Sequence, residues 1–456
     1  MRHFDLCVIG TGSGNSVVDD RFAEQSVAII EPGPFGGTCL NVGCIPSKMY
    51  VYPAGLARSP TQAARLGVDL ELRGVRWPDI RDRIFGRIDA DAANGRRYRE
   101  QSRNVTVFSH KCHFVGTRRL AVGGEEISAD QIVVAAGSRV LVPEIRGLTS
   151  VPFHTSDTIM RLDELPGRLG ILGGGYVAAE FAGVFSAFGT AVTVVNRSDR
   201  LLAKEDDEIA ARFTEQFGRK VEIRAKTQVT RVEPTVDSGI LLHLDGPGGL
   251  SSLAVDTLLV ATGRVPNGDT LNLESGGIAT DEQGRIVVDE YQRTTADGVF
   301  ALGDVCTQFP LKHVANEEAR TVQHNLVHPD APVATDHRYV PHAVFSEPQI
   351  AAVGLTEQEA ARRGLDFRVG RQAYADVAYG WAMEDSGHFV KILVDADTGL
   401  ILGAHLLGPD ASSLIQPLIQ AMSFGQRAVD VARGQYWIHP ALAEVVENAL
   451  LDASPE

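Results

Sequence analysis

FDLCVIGTGSGN (residues 4–15) joins an apolar strand to a turn of closely spaced glycines. Gly10, Gly12 and Gly14 let the backbone approach a pyrophosphate, which binds at the positive N-terminus of the helix that follows. A second strand, VAIIE (residues 27–31), comes next. The segment therefore predicts a strand–turn–helix–strand unit that binds a dinucleotide.

Glu31 ends this second strand, at the position where a dinucleotide-binding unit holds the ribose. A carboxylate there can accept hydrogen bonds from the ribose diol. We therefore expect Glu31 to bind the ribose, with an ordinary acid at a strand end as the alternative.

RLGILGGGYVAAEFAGVFSAFGTAVTVVNR (residues 168–197) repeats the same pattern. Gly173 and Gly175 keep the first two fingerprint positions, and Ala178 takes the third. One glycine fingerprint is weak evidence, but two in one chain, each after a predicted strand, are much more specific. The sequence therefore predicts a protein that holds two dinucleotides.

The second copy lacks the ribose acid and has Asn196 and Arg197 in its place. An acid would repel a 2′-phosphate, whereas an arginine can pair with one. We therefore expect this site to bind NADPH, with Arg197 on the phosphate and Arg200 or Lys204 as further contacts. An incidental surface arginine is the alternative.

Three further glycine turns follow apolar strands, in residues 131–139, 258–267 and 298–305. An acid at such a turn, here Asp304, can bind the ribityl chain or the pyrophosphate region of a flavin. We expect Gly137 and Asp304 at the flavin and Gly263 at the NADPH site. From about residue 336 the sequence instead predicts an antiparallel sheet followed by helices, without a nucleotide fingerprint.

The composition limits the possible partners and compartment. The chain has 456 residues, 44% of them hydrophobic, and a formal net charge of −15. Nucleic acid is an unfavourable partner, because its phosphates would be repelled. The sequence shows neither an apolar run long enough to cross a bilayer nor a signal-peptide pattern at its start. We therefore expect a cytoplasmic protein.

GGTCLNVGCIPSKMY (residues 36–50) holds two of the five cysteines, Cys39 and Cys44. Zinc would need two more Cys or His ligands at matching spacing, and none stands nearby, so we expect no metal. A structural disulfide that closes so small a ring would stabilise little. A reversible redox pair beside a flavin fits better. Of the other cysteines, Cys7 is expected in the core, and Cys112 and Cys306 have no functional interpretation.

Together with GVFALGDV and a C-terminal HPALAE, these motifs resemble the flavoprotein pyridine nucleotide-disulfide reductases, in order and over essentially the whole chain. The resemblance implies FAD and NADPH as cofactors. It also implies an α/β fold with two Rossmann-like dinucleotide-binding domains and an α+β dimerisation domain. The implied boundaries are 1–150 with 268–335 for FAD, 151–267 for NADPH, and 336–456 for the dimer interface.

The resemblance also assigns roles by position. Cys44 would be the thiol next to the flavin, and Cys39 the interchange thiol that meets the substrate. Lys48 would lie near the flavin N5 and pair with Glu180, and Tyr176 would gate the nicotinamide pocket. One further residue is expected to contact FAD, namely Thr38.

His439 and Glu444 match the catalytic His–Glu pair of the family, which the partner subunit of a homodimer supplies. His439 would exchange a proton with the interchange thiol and with the leaving thiol. Glu444 would fix the tautomer of the imidazole. The alternative is an ordinary histidine near a helix start, beside Pro440.

Four segments resemble most closely the branch of the family that reduces mycothione, the disulfide of mycothiol: GTGSGNS, DEYQRT, DVAYGWAMED and GQYWIHPALAEVVENALL. Counted without gaps from Gly10, Asp20 stands where glutathione reductases carry an arginine on the first helix, and Asp19 lies beside it. Two acids would repel glutathione but tolerate mycothiol, whose sugar–inositol moiety is uncharged. Arg320 matches a second glutathione-contacting arginine. Activity like that of glutathione reductase or dihydrolipoamide dehydrogenase is the alternative, and a non-catalytic flavin- or NADPH-binding scaffold or sensor is another.

Overall fold

The computed structural model describes residues 1–237 and 239–454. Its strands, in chain order, are β1 (Arg2–Ile9), β2 (Val27–Ile30), β3 (Val105–Phe108), β4 (Cys112–Gly116), β5 (Arg119–Val122), β6 (Glu125–Val134), β7 (Ser138–Val140), β8 (Arg168–Leu172), β9 (Ala191–Val195), β10 (Glu222–Arg224), β11 (Gln228–Pro234), β12 (Ile240–Gly246), β13 (Gly249–Val255), β14 (Thr257–Val260), β15 (Arg264–Pro266), β16 (Val299–Ala301), β17 (His342–Val344), β18 (Ile350–Gly354), β19 (Phe367–Ala373), β20 (Phe389–Asp395) and β21 (Ile401–Leu407).

The α-helices, in chain order, are α1 (Gly37–Asn41), α2 (Cys44–Arg65), α3 (Trp77–Gln101), α4 (Ser156–Ile159), α5 (Tyr176–Ala187), α6 (Asp207–Phe217), α7 (Lys312–Val327), α8 (Glu357–Arg362), α9 (Ala378–Ala382), α10 (Ala411–Leu414), α11 (Gln416–Ser423), α12 (Ala428–Arg433) and α13 (Glu444–Ala453). In the part of the chain that the structure describes, no helix has the length and apolar character needed to span a membrane.

The first sheet is built around β1, which pairs in parallel with β2 and β6. β3 adds to β2, and β16 adds in parallel to the end of β6. β4 and β5 form an antiparallel extension on the other part of β6. All four residues of β2 are buried, as expected for a strand covered on both faces. Because β16 belongs to this sheet, the chain returns to it after forming the second sheet.

The helix expected after the first glycine turn is absent, and two short 3₁₀ turns, Ser13–Val17 and Asp20–Phe22, take its place. Buried Arg99 explains the difference. Its guanidinium donates to the carbonyls of Asn15 at 2.6 Å and Val18 at 2.8 Å. An α-helix would need those carbonyls for its own hydrogen bonds. The prediction of a helix in this copy was wrong.

The second sheet has the parallel order β10-β9-β8-β14. Here the glycine turn does lead into a true helix, α5, whose residues from Ala178 to Phe185 are all buried. An antiparallel three-stranded sheet, β11-β12-β13, follows β10. A short antiparallel pair, β7 with β15, joins the two segments that flank this second unit.

The last sheet is antiparallel, in the order β17-β18-β21-β20-β19, and has its own apolar core with α11, α12 and α13. A buried ion-pair cluster ties it to α6. Lys391 of β20 contacts Asp206 at 2.7 Å and Glu357 at 2.6 Å. The Lys391 side chain is 2% exposed, and that of Asp206 is fully buried. The mixed α/β architecture confirms the predicted fold class.

Candidate active site

The two cysteines of the candidate redox pair lie on consecutive helices, Cys39 inside α1 and Cys44 as the first residue of α2. The side chain of Asn41, the last residue of α1, holds the start of that helix by donating to the carbonyls of Phe35 and Gly37, both at 2.9 Å. No side chain caps α2. The positive end of a 22-residue helix therefore faces the Cys44 sulfur.

Cys39 and Cys44 are both free thiols, and their interaction shifts the two pKa values in opposite directions. Hydrogen bonding from the Cys39 thiol, assisted by the charge of Lys48, lowers the pKa of Cys44 to about 7. The same hydrogen bond, together with burial, raises the pKa of Cys39. A positive helix end and a nearby lysine are the surroundings that stabilise a thiolate. The arrangement therefore favours a thiolate on Cys44 and a proton on Cys39.

Lys48 lies one turn into α2 and pairs with Glu180 of α5. Its ammonium is 2.9 Å and 2.7 Å from the two carboxylate oxygens. Glu180 is buried and also accepts the backbone N–H of Phe345 at 2.9 Å. The Lys48 ammonium also lies 4.6 Å from the centre of the Phe345 ring. The pair thus joins the cysteine helix, the second nucleotide-binding unit and the start of the last sheet.

Tyr176 opens α5 close to this pair. Tyr176 is 44% exposed as a whole, but desolvation of its hydroxyl raises the pKa, and Arg264, Asp304 and Glu180 are among the charges that act on it. Asp304 accepts the hydroxyl of Ser138 at 2.6 Å. Arg264 donates to that same hydroxyl at 2.8 Å. Ser138, Asp304 and Arg264 thus form a polar triad, which lies between the first glycine-rich unit and the helix that carries Tyr176.

The first glycine turn is shaped for close backbone approach. Gly10 has φ +97°, and a Cβ at that position would lie 2.3 Å from the carbonyl oxygen of Ala135. Glu31 directly follows β2, beside the turn, and accepts the N–H and the hydroxyl of Thr11 at 2.9 Å and 2.8 Å. Its other oxygen accepts the N–H of Gly33 at 2.9 Å. Glu31 thus organises the turn at the position predicted for a ribose.

The second glycine turn repeats this design. Gly173 has φ +116°, and a Cβ there would lie 2.3 Å from the carbonyl oxygen of Ala261. Asn196 is buried against the turn, and its amide donates to the carbonyl of Arg200 at 2.8 Å. Asn196 therefore shapes the loop that carries the exposed Arg197. Arg200 itself lies 3.1 Å from a carboxylate oxygen of Asp207.

The remaining predicted residues take their places around these turns. Gly137 and Gly263 both have positive φ and lie at the β7–β15 junction. Thr38 is exposed, on α1 beside Cys39. Gly12 and Gly14 belong to the first glycine turn, and Gly175 belongs to the second. Ala178 is buried in α5.

Glu444 is the first residue of α13, and His439 lies in the segment just before this helix, far from the thiols along the chain. The imidazole Nδ1 is 2.8 Å from a Glu444 oxygen, and this hydrogen bond lowers the pKa of Glu444. The other Glu444 oxygen accepts the N–H of Ala441 at 3.2 Å. No hydrogen bond between described residues joins His439 to Cys39 or Cys44. The His439 side chain is 70% exposed.

Sequence reasoning missed three residues that the structure places at this site: Ser138, Arg264 and Lys312. Lys312 opens α7 and donates to the Ser13 hydroxyl at 2.7 Å. Its charge acts to lower the pKa of Cys39, although burial and the hydrogen bond to Cys44 outweigh it. The glycine turn GRVPN could have pointed to Arg264, whereas no local pattern pointed to Lys312.

An open cavity of about 530 Å³ lies along the first three turns of α2, with Cys44 and Lys48 in one wall and Arg83 of α3 in another. Cys7, Cys112 and Cys306 are buried, and burial raises the pKa of each. Among residues 1–237 and 239–454, no group of three or more His, Cys, Asp and Glu side chains is arranged to hold a metal ion.

Comparisons with known proteins match both parts of this architecture. Residues 4–319 match the family described as pyridine nucleotide-disulphide oxidoreductase, and residues 340–450 match the dimerisation domain of the same family. The chain belongs to the pyridine nucleotide-disulphide oxidoreductases. This membership confirms the predicted family and makes the protein an FAD-dependent disulfide oxidoreductase. The predicted cofactors, FAD and NADPH, are confirmed as those of the family.

The relatives of this oxidoreductase cover nearly its whole length. It is 52% identical over 461 aligned residues to mycothione reductase of Mycobacterium tuberculosis, covering 99% of both chains. It is 32% identical to glutathione reductase of Burkholderia cepacia, covering 97% of both. Among solved structures it resembles the flavoprotein disulfide reductase RclA of Escherichia coli, with a TM-score of 0.87 and 30% identity, covering 98% of this chain and 99% of that one.

Proposed function

We propose that this oxidoreductase uses NADPH to reduce mycothione to mycothiol through the Cys39–Cys44 pair. The observation that carries the proposal is the pair itself: two adjacent thiols at a helix N-terminus, with the pKa of Cys44 lowered to about 7. When bound, FAD supplies the path for electrons from NADPH to this pair. The division into residues 1–150 with 268–335, 151–267 and 336–456 is part of the same proposal.

The residues around the glycine turns fit the two dinucleotides. The Gly10 and Gly173 turns bring backbone close to a pyrophosphate, because neither has room for a Cβ. Asp304, held by Ser138, would meet the flavin side of the first dinucleotide. The Lys48–Glu180 pair, with Tyr176 beside it, would meet the flavin ring from the nicotinamide side.

Thiol–disulfide exchange assigns a task to each sulfur. The Cys39 sulfur, as thiolate, attacks one sulfur of the substrate disulfide; the S–S bond breaks, and one mycothiol leaves with a proton. The Cys44 thiolate then attacks the Cys39 sulfur in this mixed disulfide. The second mycothiol leaves, and a Cys39–Cys44 disulfide remains. The lowered pKa of Cys44 supports a reduced pair that carries a thiolate on Cys44 and a proton on Cys39 before this attack.

Attack by Cys39 needs a base, because burial and the hydrogen bond to Cys44 keep it protonated. His439, oriented by Glu444, is suited to take that proton and to return it to the leaving thiol. Within one chain it is 70% exposed and beside the exposed apolar side chains of Tyr436 and Ile438. We infer a homodimer in which the partner subunit's His439 serves each thiol pair.

Two ion pairs on the protein surface support a substrate without carboxylates. Asp19 pairs with Arg21 at 2.7 Å and accepts the amide of Gln323 at 3.0 Å. Arg320, one turn before Gln323, pairs with Glu317. Glu317 therefore partly offsets the charge of Arg320, and Asp20 is also exposed. Such a surface attracts the carboxylates of glutathione only weakly. Binding of the uncharged sugar of mycothiol does not depend on such an attraction.

The direct test compares NADPH oxidation with the disulfides of mycothiol, glutathione and lipoamide under the same conditions. We expect the mycothiol disulfide to give the highest kcat/KM. A higher kcat/KM for glutathione disulfide or lipoamide would instead support the reductase or dehydrogenase alternative. NADPH oxidation that none of the three disulfides accelerates would favour a non-catalytic role.

The preference for NADPH is tested separately with Arg197→Ala. A charge-assisted contact to the 2′-phosphate is worth roughly 1.5–3 kcal/mol, and Arg197 is exposed, so we expect the lower end of that range. The KM for NADPH should rise about tenfold, while the KM for NADH stays nearly unchanged. Arg197→Lys, which keeps the charge, is the matched control. Equal effects of Arg197→Ala on both nucleotides would mean that Arg197 does not bind the phosphate.

A further inference from the structure

Two neighbouring strands of the second sheet place a second cation beside Arg197. β9 ends at Val195 and β10 at Arg224, and these two residues are partners in the parallel register. Arg197 lies two residues after the end of β9, and Lys226 lies two residues after the end of β10. Both lie at the carboxyl edge of the sheet, where open α/β sheets bind their ligands.

Backbone hydrogen bonds hold Lys226 against the loop that carries Arg197. The N–H of Lys226 donates to the carbonyl of Ser198 at 2.9 Å. The next N–H, of Thr227, donates to the carbonyl of Asn196 at 3.0 Å. The two segments are thus tied together on both sides of Arg197.

Lys226 occupies a backbone conformation that a lysine rarely adopts. Its φ is +52°, in the left-handed region that favours glycine and asparagine. Strained positions of this kind cluster at sites that bind ligands. A lysine at a position where a smaller residue would be less strained indicates a use for its side chain.

The charges of the neighbouring residues leave Lys226 available to an anion. Arg224 is paired with Glu222 at 2.6 Å, and Arg200 with Asp207 at 3.1 Å. Arg197 and Lys226 are both exposed, and neither takes part in an ion pair between described residues. In a chain of net charge −15, this edge therefore carries two cations without carboxylate partners.

We propose that Lys226 is a second residue that binds the 2′-phosphate of NADPH and, with Arg197, determines the preference for NADPH over NADH. This inference rests on the use of NADPH proposed above. A phosphate dianion can accept hydrogen bonds from a guanidinium on one side and an ammonium on the other. Lys226 would thus act on affinity for the nucleotide and not on the chemistry at the thiols.

The test measures binding of 2′,5′-ADP and 5′-ADP to the oxidised holoenzyme by calorimetry. Lys226→Asn removes the cation with a residue that tolerates the left-handed backbone, so folding is preserved. We expect it to weaken 2′,5′-ADP binding about three- to tenfold and to leave 5′-ADP binding unchanged. Lys226→Arg should bind both as the wild type does. Lys111→Asn, which removes an exposed lysine elsewhere, is the matched control.

Two outcomes would overturn the proposal in distinguishable ways. If the wild type prefers 2′,5′-ADP and Lys226→Asn keeps the full preference, Lys226 has no part in the site, and the proposed use of NADPH still stands. If the wild type binds both nucleotides equally, the preference for NADPH fails and the role of Lys226 fails with it. Reduction of mycothione would then still be tested by the assay that compares the disulfides of mycothiol, glutathione and lipoamide.

Discussion

Cys44 shows how a few residues decide the chemistry of the site. Burial would raise the pKa of its thiol, but the Cys39 hydrogen bond and the charge of Lys48 outweigh burial and lower it to about 7. The spacing of the two cysteines could be read from the sequence. The partnership of Lys48 with Glu180 came only from family resemblance, because 132 residues separate them.

The pH dependence of the reduced enzyme follows from this pKa. Because the fold lowers the pKa of Cys44 from the ordinary thiol value to about 7, the thiolate is favoured above that pH and is lost as the pH falls through it. We expect the thiolate–flavin charge-transfer absorbance to fade as the pH falls below about 7. Spectra recorded across the pH range measure the midpoint.

Lys48→Gln provides the matching variant for that titration. Removing the positive charge also leaves Glu180 unpaired, so both changes raise the pKa of Cys44. We expect the midpoint to rise by about one pH unit, while Lys111→Gln leaves it in place. A Lys48→Gln midpoint equal to that of the wild type would show that Lys48 does not act on Cys44.

Cys39→Ser separates the roles of the two sulfurs. Without Cys39 no interchange thiol remains, so turnover of any disulfide should be abolished. Cys44 stays beside the flavin, and its thiolate should still give a charge-transfer band in the oxidised enzyme. Steady-state assays and visible spectra measure the two properties. Full disulfide reductase activity in this variant would refute the exchange mechanism.

At the level of elements, the two glycine-rich units show where sequence reasoning succeeds and where it fails. The strands and turns of both copies form as predicted, because glycine at positions such as Gly10 and Gly173 is dictated by local backbone contact. The first helix fails because Arg99, 84 residues from Asn15, takes the carbonyls that the helix needs. A contact so distant in sequence leaves no local pattern.

The cluster around Lys391 tests how the last sheet is attached to α6. Burial would lower the pKa of Lys391, but hydrogen bonds from its ammonium to Asp206 and Glu357 outweigh burial and raise it. Lys391→Met would leave the fully buried Asp206 carboxylate without its cation. Breaking such a pair costs about 3–5 kcal/mol, so the Tm should fall by several degrees.

Asp206→Asn in the Lys391→Met background is the matched control for this prediction. It removes the uncompensated charge, so part of the lost Tm should return. Thermal unfolding monitored by fluorescence compares the three proteins. A Lys391→Met protein as stable as the wild type would show that the cluster contributes nothing to the attachment.

At the scale of the whole molecule, we propose that two subunits build each active site. Cys39 belongs to the first sheet's unit, and His439 belongs to the unit that matches the family's dimerisation domain. Within one chain His439 contacts Glu444 and is otherwise exposed. A two-fold dimer would bring the imidazole of one subunit to the thiols of the other.

Subunit complementation tests this claim most directly. Cys39→Ser and His439→Ala are each expected to be inactive as homodimers. After mixing and reversible dissociation, half of the dimers are mixed, and each holds one intact site, so activity should recover to about a quarter of that of the wild type. Exchange is verified with differently tagged subunits. Recovery to that level supports the composite site, whereas no recovery despite demonstrated exchange would place His439 and Cys39 of one site on the same chain.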